Sequence, residues 1–331
     1  MNKDFSLLTE NFGRVRQGLR VLEDMVQFIF GDQELSQALK SLRNSLSQTE
    51  AWFGSAHLIA SRVRPTVVSQ NFTQKEFHHQ SSLYGMIHSN SSQVCDALQI
   101  LEEFSGIYSP QNAFLFQKAR YQVFSVERDL VVRTPHFYLL QYFEQGVVYP
   151  ISDSVDDLKD FVDAGAKMIQ LNDTKSSKDL VLKKTKEICR FLQKRYTEEK
   201  EKVIFLVHEY VDIVSQTPVD GLHVHKNKNP ISQARYILGS NKIISQTVQS
   251  LDQSRKSLFS GVDGVSFSEL FGEFGKNEKM FEELKKCIQQ IHLPVSGVGN
   301  IDPETIQQVF DTGCKNVGVT ESAKDFFVKR G

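Results

Sequence analysis

The stretch VVYPISDSVDDLKDFVDAGAKMIQL, Val147–Leu171, decides the fold. A short apolar run, VVYP, gives way to a helical pattern, DDLKDFVDAG, and a second apolar run, KMIQL, follows. The alternation continues to the end of the chain. After a long lysine-rich helical stretch come VIFLV at Val203–Val207, GLHV at Gly221–Val224, KIIS at Lys242–Ser245, GVSF at Gly264–Phe267, PVSGVG at Pro294–Gly299 and NVGV at Asn316–Val319, each followed by a helical pattern. Continuous apolar strands separated by helices call for a parallel sheet covered by helices. Eight such units in roughly 185 residues predict a closed (β/α)₈ TIM barrel, close to the smallest size that fold allows. A doubly wound open sheet is the alternative.

Upstream the period changes. Residues 1 to about 130 read as helices. Val15, Leu19, Leu22, Val26 and Ile29 recur at three- and four-residue spacing, one amphipathic face, with Asn11 as a candidate cap. The phrase then returns: NFGRVRQGLRVLED at Asn11–Asp24 aligns without gaps to NSSQVCDALQILEE at Asn90–Glu103, and SLRNSL at Ser41–Leu46 answers KARYQV at Lys118–Val123. A duplicated helical hairpin predicts an all-α bundle with a pseudo-twofold axis. The expected domains are residues 1–135, helical with an internal repeat, and residues 136–331, the barrel. Arg128–Gln145, with Pro135 and many aromatics, is too apolar for a free linker and is expected to pack between the halves.

Composition excludes several function classes. The 331 residues are 40% hydrophobic and carry a net charge of −1, so no electrostatic case exists for nucleic acid or an anionic membrane. No apolar run approaches the ~20 residues of a membrane span. The start MNKDFSLLTENFGRVRQ has no signal-peptide core. Cys95, Cys189, Cys287 and Cys314 are far apart, without metal-ligand spacing, as in a reduced cytoplasmic protein.

Two loops point to phosphate. SGVGNID at Ser296–Asp302 sets Gly297 and Gly299 between a strand and PETIQQVF, a helix with Pro303 in its first turn, and NVGVTESA at Asn316–Ala323 repeats the arrangement. Glycines admit close approach of backbone N–H groups to an anion, and the seventh and eighth loops of barrels commonly bind phosphate. Tight strand–helix turns would use the same glycines.

The second half resembles thiamine-phosphate synthase, the barrel enzyme that joins a pyrimidine pyrophosphate to a thiazole phosphate. YPISD at Tyr149–Asp153, DAGAKMIQL at Asp163–Leu171, PVDGLHVHKNKNP at Pro218–Pro230, KIISQTVQSL at Lys242–Leu251, SGVDGVSFSELFGEFGK at Ser260–Lys276 and SGVGNI at Ser296–Ile301 each match a family segment in step. The first half resembles the helical domain fused in front of this synthase in some bacteria, which is associated with phosphorylating hydroxymethylpyrimidine phosphate. The resemblance implies phosphorylated pyrimidine and thiazole ligands, Mg²⁺ as cofactor and no nucleic-acid or membrane partner, with self-association open. It assigns Gln170 to the pyrimidine, Thr247 and Lys276 to pyrophosphate and catalysis, and Gly297, Gly299, Asn300 and Ser322 to the thiazole phosphate; Asn300 replaces a glycine of positive φ.

Other family positions are substituted. The Arg and Lys that hold pyrophosphate align with Asn172 and Thr174, with Lys175 one position away. The pyrimidine- and Mg²⁺-binding Asn–Asp pair aligns with His208 and Glu209, which leaves Glu209 as the candidate metal ligand. Lys228 stands where the second Mg²⁺ aspartate belongs, and Lys226 where the family has Gln. Glu273 and Gly275 replace a Thr-x-Thr, and Glu321 adds a negative charge beside the phosphate loop. Mg²⁺ takes oxygen ligands, commonly one or two carboxylates; an ammonium at Lys228 can meet an anion only as a point charge. Three readings follow: a divergent synthase, a thiazole tautomerase that works without Mg²⁺ and uses His208 or His225 as acid–base, or a non-catalytic descendant that binds a phosphorylated ligand or a partner.

Overall fold

The computed structural model describes residues 3–54, 58, 82–196, 202–225, 230–272 and 275–320. The chain divides into two compact units between Arg133 and Thr134, with Ser81–Leu83 grouped with the second. No described helix is long and apolar enough to cross a membrane.

The first unit contains helices α1 (Lys3–Met25), α2 (Gln33–Trp52), α3 (Leu83–Tyr108) and α4 (Pro110–Val131). The repeat is visible in its contacts. Val15, Leu19 and Leu22 of α1 are buried, and so are their counterparts Val94, Leu98 and Leu101 of α3. Asn11 Nδ2 donates to the Leu7 carbonyl at 2.8 Å, and Asn90 Nδ2 to the Met86 carbonyl at 2.7 Å. Arg43 pairs with Glu23 at 3.0 Å in one hairpin, and Arg120 with Glu102 at 2.8 Å in the other. Two expectations are corrected. Asn11 lies inside α1 and bonds the preceding turn, so it is no cap. Ile29 is 44% exposed, because α1 runs into a π turn, Val26–Phe30, whose wider winding rotates the apolar face away from that residue.

The second unit opens with α5 (Pro135–Gln145) and continues β1 (Val148–Ser152), α6 (Val155–Asp163), β2 (Met168–Leu171), α7 (Lys178–Arg195), β3 (Ile204–His208), α8 (Val211–Ser215), β4 (Gly221–Val224), α9 (Ile231–Leu238), β5 (Ile243–Val248), α10 (Leu251–Phe259) and β6 (Gly264–Phe267). A small hairpin, β7 (Phe271–Gly272) and β8 (Gly275–Lys276), precedes α11 (Glu278–Gln290), β9 (Val295–Val298), α12 (Ile306–Phe310) and β10 (Asn316–Val319). The strands close in the order β1-β10-β9-β6-β5-β4-β3-β2. Every barrel pairing is parallel: Val148 stands opposite Val317 on one side of β1, and Ile151 opposite Gln170 on the other. These are the eight strands expected from the apolar runs; the β7–β8 hairpin is additional.

Alternation splits the apolar residues into two layers. Ile169, Phe205, Leu222, Ile244, Val265 and Val317 face outward and pack with helix residues such as Phe161, Ile188 and Leu284. Tyr149, Ile151, Met168, Ile204, Leu206 and Ile243 fill the interior with Tyr138 and Leu139 of α5. Several of these interior residues begin their strands, so α5 closes the N-terminal end of the barrel. Each such side chain contributes about 1.5–3 kcal/mol through burial. At the other end, α12 starts at Ile306 rather than at Pro303. The Asp302 carboxylate accepts the Glu304 N–H at 3.0 Å and the Thr305 N–H at 2.8 Å, which holds residues 303–305 in a turn.

Two glycines of α1 give a test of the hairpin packing. A methyl group at Gly18 would meet Val94 Cγ2 at 2.4 Å, whereas one at Gly13 would meet nothing within 4 Å. Gly18→Ala should destabilise the protein by about 1–3 kcal/mol through overpacking. Gly13→Ala should be neutral or stabilising by up to ~1 kcal/mol, from helix propensity. Urea titrations of the two variants beside the parent measure both; equal midpoints would contradict the close α1–α3 crossing.

Candidate active site at the barrel mouth

The interior changes chemistry along the barrel axis. One pleat beyond the apolar layer, the inward faces carry Gln170 on β2, His208 on β3, His223 on β4, Ser245 and Thr247 on β5, Ser266 on β6 and Ser296 on β9. Two hydrogen-bonded chains cross this layer. Tyr149 Oη lies 3.2 Å from Ser296 Oγ, which lies 2.9 Å from Ser266 Oγ. His223 is held between Thr247 Oγ1, 2.9 Å from Nε2, and Ser245 Oγ, 3.3 Å from Nδ1.

Three imidazoles gather here. The His208 ring stacks 5.7 Å from His223 and lies 6.3 Å from His225. Burial, reinforced by the charges of His208 and His225, pushes the His223 imidazole down from 6.5 to about 3, so it is neutral at physiological pH. Glu209 follows His208 with a positive φ of 66°, a conformation rare for a side-chain-bearing residue. Its Oε1 accepts the His225 backbone N–H at 2.6 Å, and its own N–H donates to the His223 carbonyl at 2.9 Å. The residue therefore clasps the ends of β3 and β4. Glu269, beyond β6, also has a positive φ, 63°. Backbone strain of this kind concentrates at functional sites.

The residues singled out from sequence separate into groups. Gln170 is 3% exposed, and its Oε1 has no hydrogen-bond partner; Asn172 Oδ1 and Ser268 Oγ at the mouth share that condition among the described residues, as do atoms elsewhere such as Asn11 Oδ1, Ser91 Oγ and Ser105 Oγ of the helical unit. Buried polar atoms are nearly always satisfied, so the three at the mouth are open to a ligand's donors. Lys175 is exposed, with its ammonium 3.9 Å from Asp153. Lys276 sits on β8; its ammonium is 3.1 Å from Glu278 and 4.6 Å from the Phe281 ring centre, so α11 takes up its charge. Gly297 faces outward, and a methyl group there would lie 2.8 Å from Leu270 and Val309; packing accounts for that glycine. The positive φ of the seventh loop falls on Gly299, at 146°, and not on Asn300. Lys226, Lys228, Glu273, Glu321 and Ser322 lie outside the described residues.

Among the described residues the carboxylates near the mouth are spread out. No three His, Cys, Asp or Glu side chains converge among the described residues. Glu209 is engaged with a backbone N–H. Asp173 is buried, which alone would raise its carboxyl, but Lys184 and the turn residues Ser176 and Lys175 hold it at about 2. Mg²⁺ takes near-octahedral oxygen donors, commonly one or two carboxylates; of these two, Asp173 is held by Lys184 and Glu209 gives Oε1 to the His225 N–H.

The model for thiamine monophosphate synthase matches residues 147–323. The chain belongs to that family. Residues 7–129 match the model of the ThiD2 family. The chain is 25% identical to the thiamine-phosphate synthase of Nostoc punctiforme over 324 residues, covering 96% of this chain and 89% of the relative. It is 25% identical to that of Synechocystis over 323 residues, covering 96% and 90%. A solved thiamine phosphate pyrophosphorylase from Pyrococcus furiosus covers 56% of this chain and 94% of its own, with TM-score 0.49 and 21% identity. The alignments with both relatives run through both units of this synthase-family chain.

His223 was not among the residues singled out from sequence, because GLHV reads as a plain apolar strand. Its signal was the polar residue in that run, two places from His225 and therefore on the same face. The neutral state of His223 has a consequence for stability. Its pKa is depressed on folding, so as pH falls below 6.5 the unfolded chain takes up a proton that the folded one refuses. Stability is lost from there down to about pH 3, by at most ~1.4 kcal/mol per pH unit from this group. His223→Gln should lose less stability than the parent between pH 6.5 and 4.5, as read by urea unfolding at each pH; parallel losses would contradict the assignment.

Proposed function

We propose that the mouth performs synthase-type coupling: hydroxymethylpyrimidine pyrophosphate and thiazole phosphate give thiamine phosphate and pyrophosphate. The bond from the pyrimidine methylene to the pyrophosphate oxygen breaks, and its electron pair leaves with pyrophosphate. The thiazole nitrogen lone pair then forms the new carbon–nitrogen bond, with no net proton transfer. The observation that carries this reading is the open carbonyl of buried Gln170, in a chain of this family.

Gln170 is assigned to the aminopyrimidine, a flat ring with donors and acceptors on its edge, and Asn172, at a pyrophosphate position of the family, to the pyrophosphate. Thr247, with Lys175 and Lys228, meets the leaving pyrophosphate, and Gly299, Asn300 and Ser322 hold the thiazole phosphate. The described carboxylates do not support a Mg²⁺ pair, so no step is given to a metal; Glu209 acts as a clasp. Lys276 is left out because Glu278 and Phe281 occupy its ammonium. We read residues 1–135 and 136–331 as separate domains, in keeping with the division at Arg133 and Thr134.

A second reading, thiazole tautomerase, draws support from His208 and His225, two imidazoles 6.3 Å apart that could serve as acid and base without a metal. Purified protein with both substrates should form thiamine phosphate. Gln170→Ala should lower kcat/KM by about 10–100-fold, the equivalent of one to two hydrogen bonds to a buried group. If thiazole carboxylate phosphate is isomerised and no thiamine phosphate forms, the second reading replaces the first. Absence of both turnovers overturns both and leaves a binding protein.

A further inference from the structure

The duplicated hairpin provides its own control for surface residues. Four buried positions of α2, Leu39, Leu42, Leu46 and Thr49, recur in α4 as Phe116, Ala119, Val123 and Val126, always 77 residues later. The outward faces can therefore be compared position by position. On one outward face of α2 the exposed residues include Gln37, Ser41, Asn44 and Ser47. The same positions of α4 hold Phe114, Lys118, Tyr121 and Phe124. The three aromatic residues are 64%, 60% and 45% exposed. The bundle does not need them, since its other half folds with polar residues in their place. Contiguous exposed aromatics of this kind mark an interaction surface.

We propose that this face of α4 binds the same face of a second copy, antiparallel, about a twofold axis beside Phe124. The charges argue for that occupant. Lys118 and Asp129 are both exposed. Eleven residues separate them, three full turns and about 20° more, so they lie on one edge of the aromatic stripe, about 16 Å apart along the axis. Their midpoint falls between Val123 and Phe124. A twofold axis at that point brings Lys118 of each copy opposite Asp129 of the other, on both sides of a centre made by Tyr121 and Phe124. Such a surface is complementary to itself, as an isologous dimer requires.

Sedimentation equilibrium of the full chain tests this. The parent should be a dimer at micromolar concentration. The double variant Tyr121→Asn with Phe124→Ser, which installs the residues that α2 already carries, should raise the dissociation constant at least tenfold while the helical circular dichroism is unchanged. Lys118→Asp should weaken the dimer, and adding Asp129→Lys should restore it. A parent that stays monomeric, or a dimer indifferent to the double variant, overturns the proposal. Failure of the charge reversal to restore the dimer overturns the antiparallel register.

Discussion

Side chains alternate in and out along eight parallel strands, and closure of those strands turns the alternation into a shaft with two chemistries. Tyr149, Ile151, Met168, Ile204, Leu206 and Ile243 make the lower layer dry. One pleat further, the same face becomes Gln170, His208, His223, Thr247 and Ser266. A slip of one residue in any strand would exchange its inward and outward sets. The outward residues are large and apolar, so such a slip would expose the polar set to the helix layer, where it has no partners. The mouth is therefore held in register by the hydrophobic layer outside it, and α5 seals the opposite end.

The polar layer is tuned rather than simply wet. His223 is neutral because it is buried and lies beside His208 and His225, and hydroxyls at both ring nitrogens hold it in place. Glu209 spends its carboxylate on the His225 N–H and accepts a strained φ of 66° to do so. That strain costs of order 1–3 kcal/mol, against a charge-assisted hydrogen bond worth about 1.5–3 kcal/mol. The two are comparable, which makes the clasp affordable in a protein where net stability is only ~5–15 kcal/mol.

Much of the barrel was legible beforehand. Its eight strands are continuous apolar runs, which only a covered parallel sheet accommodates. The duplication was legible too, since Asn11, Val15, Leu19 and Glu23 recur as Asn90, Val94, Leu98 and Glu102. The finer readings failed where a competing contact decided the outcome. Asn11 bonds the preceding turn instead of capping. A π turn at Val26–Phe30 carries Ile29 out of the apolar face. Neither has a local sequence signature. The substitution of polar for aromatic residues between the two hairpins, by contrast, gains meaning only once burial fixes their register.

The central claim is that the pyrimidine end of the mouth works with neutral side chains and lysines, with Glu209 committed to the strand clasp. Isothermal titration of hydroxymethylpyrimidine pyrophosphate into the protein, once in EDTA and once in excess Mg²⁺, addresses it directly. The same dissociation constant in both buffers is the predicted result. An affinity at least tenfold higher with Mg²⁺ would contradict it, and would return Glu209 to the role of metal ligand.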